Sequence, residues 1–282
     1  MNMDRARREA GIRRPALCLR APAFSLAELL VVVALVLLLL GIVLPALRGG
    51  MVEARRVKCA ANLRQFGTAF HQYAAEYRGA AMPLAYTQSS LLRDGVPIYW
   101  WGSNGRERVD HTRGFLWPYL HSELYDTSVF ECPEQPWGSY LPQGVARQIT
   151  STYGYNGYFL SPAYTPGWSF VIGRRPWQNI DRLVETQRVF VFADTMIAGL
   201  GNRIKNTALL DPPLIFRGQG RWGVNFSPTT AFRHAGRTNA LFADGHVNAS
   251  GPAGGRLTAP EFGIGSVGAT NDPHYVPDWR DW

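Results

Sequence analysis

Between Leu29 and Leu47 the chain runs nineteen residues without a charge. As a helix rising about 1.5 Å per residue, this run covers roughly 28 Å, close to the hydrocarbon thickness of a bilayer. It excludes an ordinary soluble cytoplasmic protein. Before it stand Arg5, Arg7, Arg8, Arg13, Arg14 and Arg20 against only Asp4 and Glu9, so half of the chain's net charge of +8 lies in residues 1–23. A secretory signal shares the basic start, but its apolar region is shorter and ends at a small-residue cleavage site. Here the run closes on Pro45-Ala46-Leu47-Arg48. Glu28 heads the apolar segment. An acid in such a span needs a partner, unless it sits at the interface within the first helical turn, where the helix dipole favours it.

The residues around Glu28, Ala23-Phe24-Ser25-Leu26-Ala27-Glu28-Leu29-Leu30, resemble the type IV prepilin cleavage and methylation motif. The resemblance implies that a prepilin peptidase cuts between Ala23 and Phe24 and methylates the new Phe24 terminus. It also implies that Glu28, the fifth mature residue, pairs with the N-terminal ammonium of a neighbouring subunit. Such a pair in a low-dielectric bundle sets subunit register, because losing one partner strands the other. Pro45 matches the family's proline near the end of the apolar segment, where a missing amide loosens the helix. Ala23 stands where the family usually has glycine, and the 23-residue leader is longer than most.

Residues 51–78 carry Cys59, Leu63, Phe66, Phe70, Tyr73 and Tyr77 at spacings of three and four. That period predicts an amphipathic helix with one face packed on a globular domain. Arg48, Arg55, Arg56 and Lys58 follow the apolar run and oppose the leader's charge. The leader's six arginines nevertheless outnumber them and predict a cytoplasmic leader with the C-terminal part across the membrane. In that oxidising compartment Cys59 and Cys132 either pair as a disulfide or remain two separate buried thiols, and cleavage after Ala23 discards Cys18.

Beyond Gly79 helical periods disappear. The 29 glycines and 19 prolines of the chain point to a loop-rich globular part without a collagen-like period. Arg188–Ala193 and Asn239–Ala243 read as strands, each followed by Asp, and Asp244-Gly245 is a hairpin signal between Ala240–Ala243 and His246–Val247. His234 and Asp244-Gly245 enclose nine residues and resemble the H-x9-DG signature of large bacterial pilin-like families. Cys132-Pro133, Thr152-Tyr153-Gly154-Tyr155-Asn156 and Phe192-Ala193-Asp194 match further segments typical of these families. The resemblance carries assembly and assigns the head no reaction.

If the two Ala-Asp strands are neighbours, His234, Asp244, His246 and Asp194 can converge on a divalent metal; turn geometry accounts for Asp244 without one. Asp272, Asp278 and Asp281 cluster in the tail without EF-hand spacing. Tyr99, Trp100, Trp101, Trp117, Trp137, Trp168, Trp177 and Trp222 are core residues or, where exposed, a platform for glycans or another subunit. No Gly-x-Ser-x-Gly, His-Glu-x-x-His or phosphate loop occurs, so an enzyme is not expected; neither is a nucleic-acid partner, since no basic run follows the leader.

The expected fold is α+β: a long N-terminal transmembrane and amphipathic helix packed on a loop-rich antiparallel β head, pilin-like in architecture. The expected divisions are a leader (1–23), transmembrane assembly helix (24–47), amphipathic continuation (48–78), head (79–250) and Gly/Pro-rich tail (251–282). The expected function is a pilin or pseudopilin subunit of a type IV pilus or type II secretion-like filament in the bacterial inner membrane. Its partners are prepilin peptidase, other pilin subunits, an inner-membrane assembly platform and membrane lipid. One alternative is a single-pass anchored envelope protein whose head binds glycan or metal. Another is an envelope enzyme using His234 and Asp244.

Overall fold

A computed structural model describes residues 25–86, 94–105, 109–120, 129–135, 151–162, 177–199, 203–252, 254 and 257–282. The chain divides into two compact units, Met1–Gly49 and Gly50–Trp282. Helix α1 spans Leu26–Glu76 and includes Pro45. Apart from Ser25, everything else described belongs to the second unit, and the layout is α+β with antiparallel sheets.

Within the second unit α1 buries Cys59, Leu63, Phe66, Phe70 and Tyr73, the stripe that the three-and-four spacing predicts. Tyr77 leaves that stripe: it lies one residue past the helix end, is 49% exposed, and stacks on Tyr73 with ring centroids 4.3 Å apart. Strands β1 (Ala85–Tyr86), β2 (Ile98–Tyr99), β3 (Gly102–Asn104) and β4 (Val109–Asp110) form a small meander. The central sheet is built from β5 (Tyr153–Tyr155) and β6 (Phe190–Asp194), followed after β7 (Ile197–Gly199), β8 (Arg203–Lys205), β9 (Leu214–Gly218), β10 (Arg221–Val224) and β11 (Thr230–Ala231) by β12 (Thr238–Phe242) and β13 (Val247–Ser250). Its order is β13-β12-β6-β5, with Ala193 opposite Ala240 and Gly154 opposite Ala193. β6 and β12 are buried along their whole length; seven of their ten residues are apolar, and the polar ones, Asp194, Thr238 and Asn239, lie at the end of β6 and the start of β12.

Phe66 joins helix and sheet, with ring contacts to Phe192 at 5.2 Å, Tyr153 at 5.4 Å, Phe130 at 5.6 Å and Trp100 at 5.7 Å. Gly67 allows the close approach, since a Cβ there would stand 2.8 Å from Leu241 Cδ1. Two polar pegs fix the helix: Asn62 Nδ2 donates to the Glu131 carbonyl at 3.2 Å, and Asn239 Nδ2 donates to the Arg56 carbonyl at 3.2 Å. In the Tyr-Gly-Tyr-Asn segment Gly154 is required because the Leu209 backbone passes 2.6 Å from where a Cβ would sit. Asn156 Nδ2 donates to the carbonyls of Phe190 and Tyr275, both at 2.8 Å, and so ties the sheet to the C-terminal segment.

Of the residues after 250, Val267, Tyr275 and Val276 join the main core, while Ala259 and Ile264 pack in a smaller cluster with Met196 and Ala231. β14 (Leu257–Ala259) and β15 (Ile264–Gly265) pair with each other, β15 pairs with β11, and Tyr275 and Val276 are fully buried. Composition alone conceals this, because the segment's aromatic anchors are separated by glycine and proline.

Candidate functional site

In the first unit every described side chain is exposed, including all fifteen Leu, Val and Ile residues of the uncharged run. The most apolar window of α1 has a mean hydropathy of 3.2 and no buried residue, compatible with a membrane anchor. At its start Ser25 and Glu28 form a reciprocal capping box. The Ser25 amide and hydroxyl donate to Glu28 Oε2 at 2.9 and 2.8 Å, and the Glu28 amide donates to Ser25 Oγ at 3.2 Å. Glu28 thus has a local partner within a single chain. Ala23 and Phe24 lie outside the described residues, as do Cys18, Trp137 and Trp168.

The head's polar centre is assembled from four separate elements. Helix α1 supplies Cys59, the loop at Cys132-Pro133 supplies Cys132, the end of β6 supplies Asp194, and the turn before β12 supplies Arg233 and His234. Cys59 Sγ lies 3.3 Å from Asp194 Oδ1, Cys132 Sγ lies 3.4 Å from His234 Nε2, and His234 Nε2 lies 3.3 Å from Asp194 Oδ2. Both cysteines are free thiols, and one donor atom from each of the four residues falls within 4.8 Å of all the others. Exposure is 0% for Cys59, Cys132 and Asp194 and 1% for His234.

Backbone and charge hold the cluster. The Asn239 amide donates to Asp194 Oδ2 at 2.9 Å, and the Cys132 amide donates to Thr152 Oγ1 at 2.7 Å. Arg233 Nη1 stands 3.9 Å from Asp194 Oδ1 while Nη2 donates to the Thr152 and Thr195 carbonyls. Burial alone would lower the His234 pKa, but the hydrogen bonds to Asp194 and Cys132 outweigh it and raise it to about 10. For Asp194, burial acts to raise the pKa, and His234 with Arg233 keeps it below the usual carboxylate value. Burial pushes the Cys59 thiol well up, helped by Cys132 and Asp194. At Cys132 burial pushes the same way but loses to the hydrogen bonds with Cys59 and His234, so that thiol is the more acidic.

Of the four head residues expected to converge, the structure brings together His234 and Asp194 but not Asp244 and His246. The strands are neighbours, as the metal reading needs, yet they run antiparallel, so residues that follow their C-terminal ends lie at opposite ends of the pair. The Ala243 amide donates to the Val189 carbonyl at the start of β6. Five residues separate Val189 from Asp194, about 17 Å at roughly 3.3 Å per residue. Asp244 instead shapes the hairpin turn, its Oδ1 accepting from the His246 amide at 3.1 Å and meeting His246 Nδ1 at 2.6 Å, with Gly245 at φ +92°. The nine-residue spacing of His234 and Asp244 therefore measures β12 with its two flanking turns. Cys59 and Cys132, expected as a disulfide or as two separate buried thiols, are the members of the cluster that the metal reading left out.

Two of the three tail acids are engaged by indoles: Asp272 accepts from Trp279 Nε1 at 2.7 Å and Asp278 from Trp282 Nε1 at 3.0 Å. Trp100 and Trp101 are core residues; Trp177, 43% exposed, donates its indole N–H to the Ala81 carbonyl.

A family model described as SBP_bac_10, "Protein of unknown function (DUF1559)", matches residues 53–100. The matched stretch, well under half of the chain, runs from the part of α1 that carries Cys59 and the Phe66 contacts to just past β2. No curated protein and no solved structure matches the chain.

Proposed function

We propose that the protein is a pilin-like envelope subunit, cut before Phe24 by a prepilin peptidase, held in the inner membrane by residues 24–47, and assembled through that helix into a type IV pilus or secretion-like filament. The observation that carries this reading is a single helix with two kinds of surface: apolar and exposed over Leu29–Leu47, and packed as core from Cys59 to Ala74. Fifteen Leu, Val and Ile residues in the run, at about 0.3–0.6 kcal/mol each in a bilayer, favour insertion by roughly 5–9 kcal/mol. That exceeds the roughly 2.5–3.5 kcal/mol charged for an acid even at mid-membrane, so Glu28 does not prevent insertion. The similarity to the DUF1559 family supports a pilin-like envelope protein. The basic leader would stay in the cytoplasm, the head would cross, and an assembly platform and neighbouring copies would take up the processed helix.

Glu28 has two possible duties, the cap to Ser25 and a charge pair with the next subunit's terminus, and one substitution separates them. Glutamine serves as well as glutamate in a capping box but carries no charge. Glu28→Gln should leave head folding and membrane insertion unchanged and abolish surface filaments, scored by shearing and electron microscopy of a strain that otherwise makes them. Wild-type filament yield from Glu28→Gln would reduce Glu28 to a cap and remove the pairing role.

A further inference from the structure

We infer that Cys59, Cys132, Asp194 and His234 form a closed structural zinc site that ties the lower half of α1 to the head. This inference does not depend on the filament reading. A tetrahedral zinc ion bonded at about 2.3 Å to sulfur and about 2.0–2.1 Å to nitrogen and oxygen needs donor separations of about 3.5 Å from sulfur to nitrogen or oxygen, and about 3.3 Å from nitrogen to oxygen. The observed separations are 3.4 Å for Cys132 Sγ to His234 Nε2, 3.3 Å for Cys59 Sγ to Asp194 Oδ1, and 3.3 Å for His234 Nε2 to Asp194 Oδ2. These three approaches match tetrahedral edges, two of them through different oxygens of Asp194, and one donor atom from each residue lies within 4.8 Å of the other three.

Donor chemistry selects the metal. Two thiolates disfavour calcium, magnesium and manganese, which prefer oxygen, whereas sulfur with imidazole and carboxylate suits zinc. Four protein donors buried at 0–1% leave no place for substrate, the pattern of a structural rather than a catalytic site. Charge closes as well: two thiolates and one carboxylate balance Zn²⁺ together with the Arg233 guanidinium, which lies 3.9 Å from Asp194. The Asn239 amide on Asp194 Oδ2 provides the outer contact that orients the carboxylate.

A Cys59–Cys132 disulfide is the competing use of the same sulfurs. It would join only two of the elements and give no role to the approach of His234 and Asp194 to the same point. On binding, the protons held on the two sulfurs and on His234 Nε2 pass to solvent, so that two thiolates, a neutral imidazole and a carboxylate form four metal–ligand bonds with no change in oxidation state.

The test takes the full chain, extracted from membranes in detergent without chelator or reductant. Elemental analysis should find about one zinc per chain, and digestion after denaturing alkylation should find both Cys59 and Cys132 alkylated. Replacement by Co²⁺ should give thiolate-to-cobalt charge transfer and the intense visible bands of tetrahedral cobalt. Asp244→Asn, at the far turn, should retain the metal; His234→Ala and Cys132→Ser should lose it where they fold. Because those two variants can fail to fold, chelation of the wild-type chain provides a second readout: its melting midpoint should fall and be restored by Zn²⁺ but not by Ca²⁺. A Cys59–Cys132 cross-linked peptide from metal-free protein would overturn the proposal. So would less than a tenth of an equivalent of zinc after reconstitution of the reduced chain, or folded His234→Ala with undiminished zinc.

Discussion

Residues 29–47 and 59–74 of α1 are stretches of one helix, rich in apolar residues, that meet opposite fates. The first is uniformly aliphatic, with apolar residues on every side and no aromatic ring; all of it is exposed. The second alternates large rings with small and polar residues, and its ten buried positions follow one face from Cys59 to Ala74. Hydrophobicity alone does not build a protein core. A uniform surface has no unique mate within its own chain and suits a solvent of hydrocarbon or a ring of identical neighbours, whereas a striped surface selects one partner face.

The sharpest way to break this contrast is to truncate an equally apolar residue in each part. Phe66→Ala removes a ring in contact with four others and should destabilise the head by about 3–5 kcal/mol. Leu37→Ala should leave head unfolding within about 0.5 kcal/mol of wild type. Chemical denaturation followed by tryptophan fluorescence reads both; equal effects would mean that the apolar run contributes to the head's core. A finer probe is the same change at two glycines. In Gly67→Ala the new methyl meets buried Leu241 at 2.8 Å, so overpacking of about 1–3 kcal/mol should outweigh the gain of up to about 1 kcal/mol in helix propensity. Gly41→Ala meets no described atom within 4 Å and should not lower the head's melting temperature. A stabilised Gly67→Ala head would show that helix and sheet are not closely packed there.

The smallest effect tests the tail that joins the head. Burial would raise the Asp272 pKa, but hydrogen bonds from Trp279 and Arg280 outweigh it and hold it at about 2. A carboxyl whose folded pKa lies below its unfolded value near 3.8 contributes stability at neutral pH and loses it as pH falls toward 2. Asp272→Asn should therefore lower the melting temperature slightly at pH 6, with the gap to wild type narrowing by pH 2. A gap independent of pH would remove the charge from the account.

Much of this contrast was legible in the sequence. The uncharged run and the three-and-four spacing after Gly50 each carry their period openly, and Asp244-Gly245 announced the hairpin that closes β12 on β13. What composition could not supply was strand direction: neighbouring Ala-Asp strands suggested that Asp194 and Asp244 meet, and the antiparallel register sends them to opposite ends. The partners that do meet at Asp194 lie 135 residues away at Cys59 and 40 residues away at His234, separations that no local pattern reports. The C-terminal segment was hidden for a related reason, since its buried anchor Tyr275 has partners, Asn156 and Thr230, that are remote in sequence.

The central claim, that the exposed half of α1 is a processed assembly helix, is tested most directly at its first residue. Intact and N-terminal mass spectrometry of the protein recovered from membranes of a host bearing prepilin peptidase should show a chain beginning at N-methylated Phe24. A chain still beginning at Met1, with the peptidase shown to be active on a second substrate, would contradict the account and leave α1 as a permanent anchor.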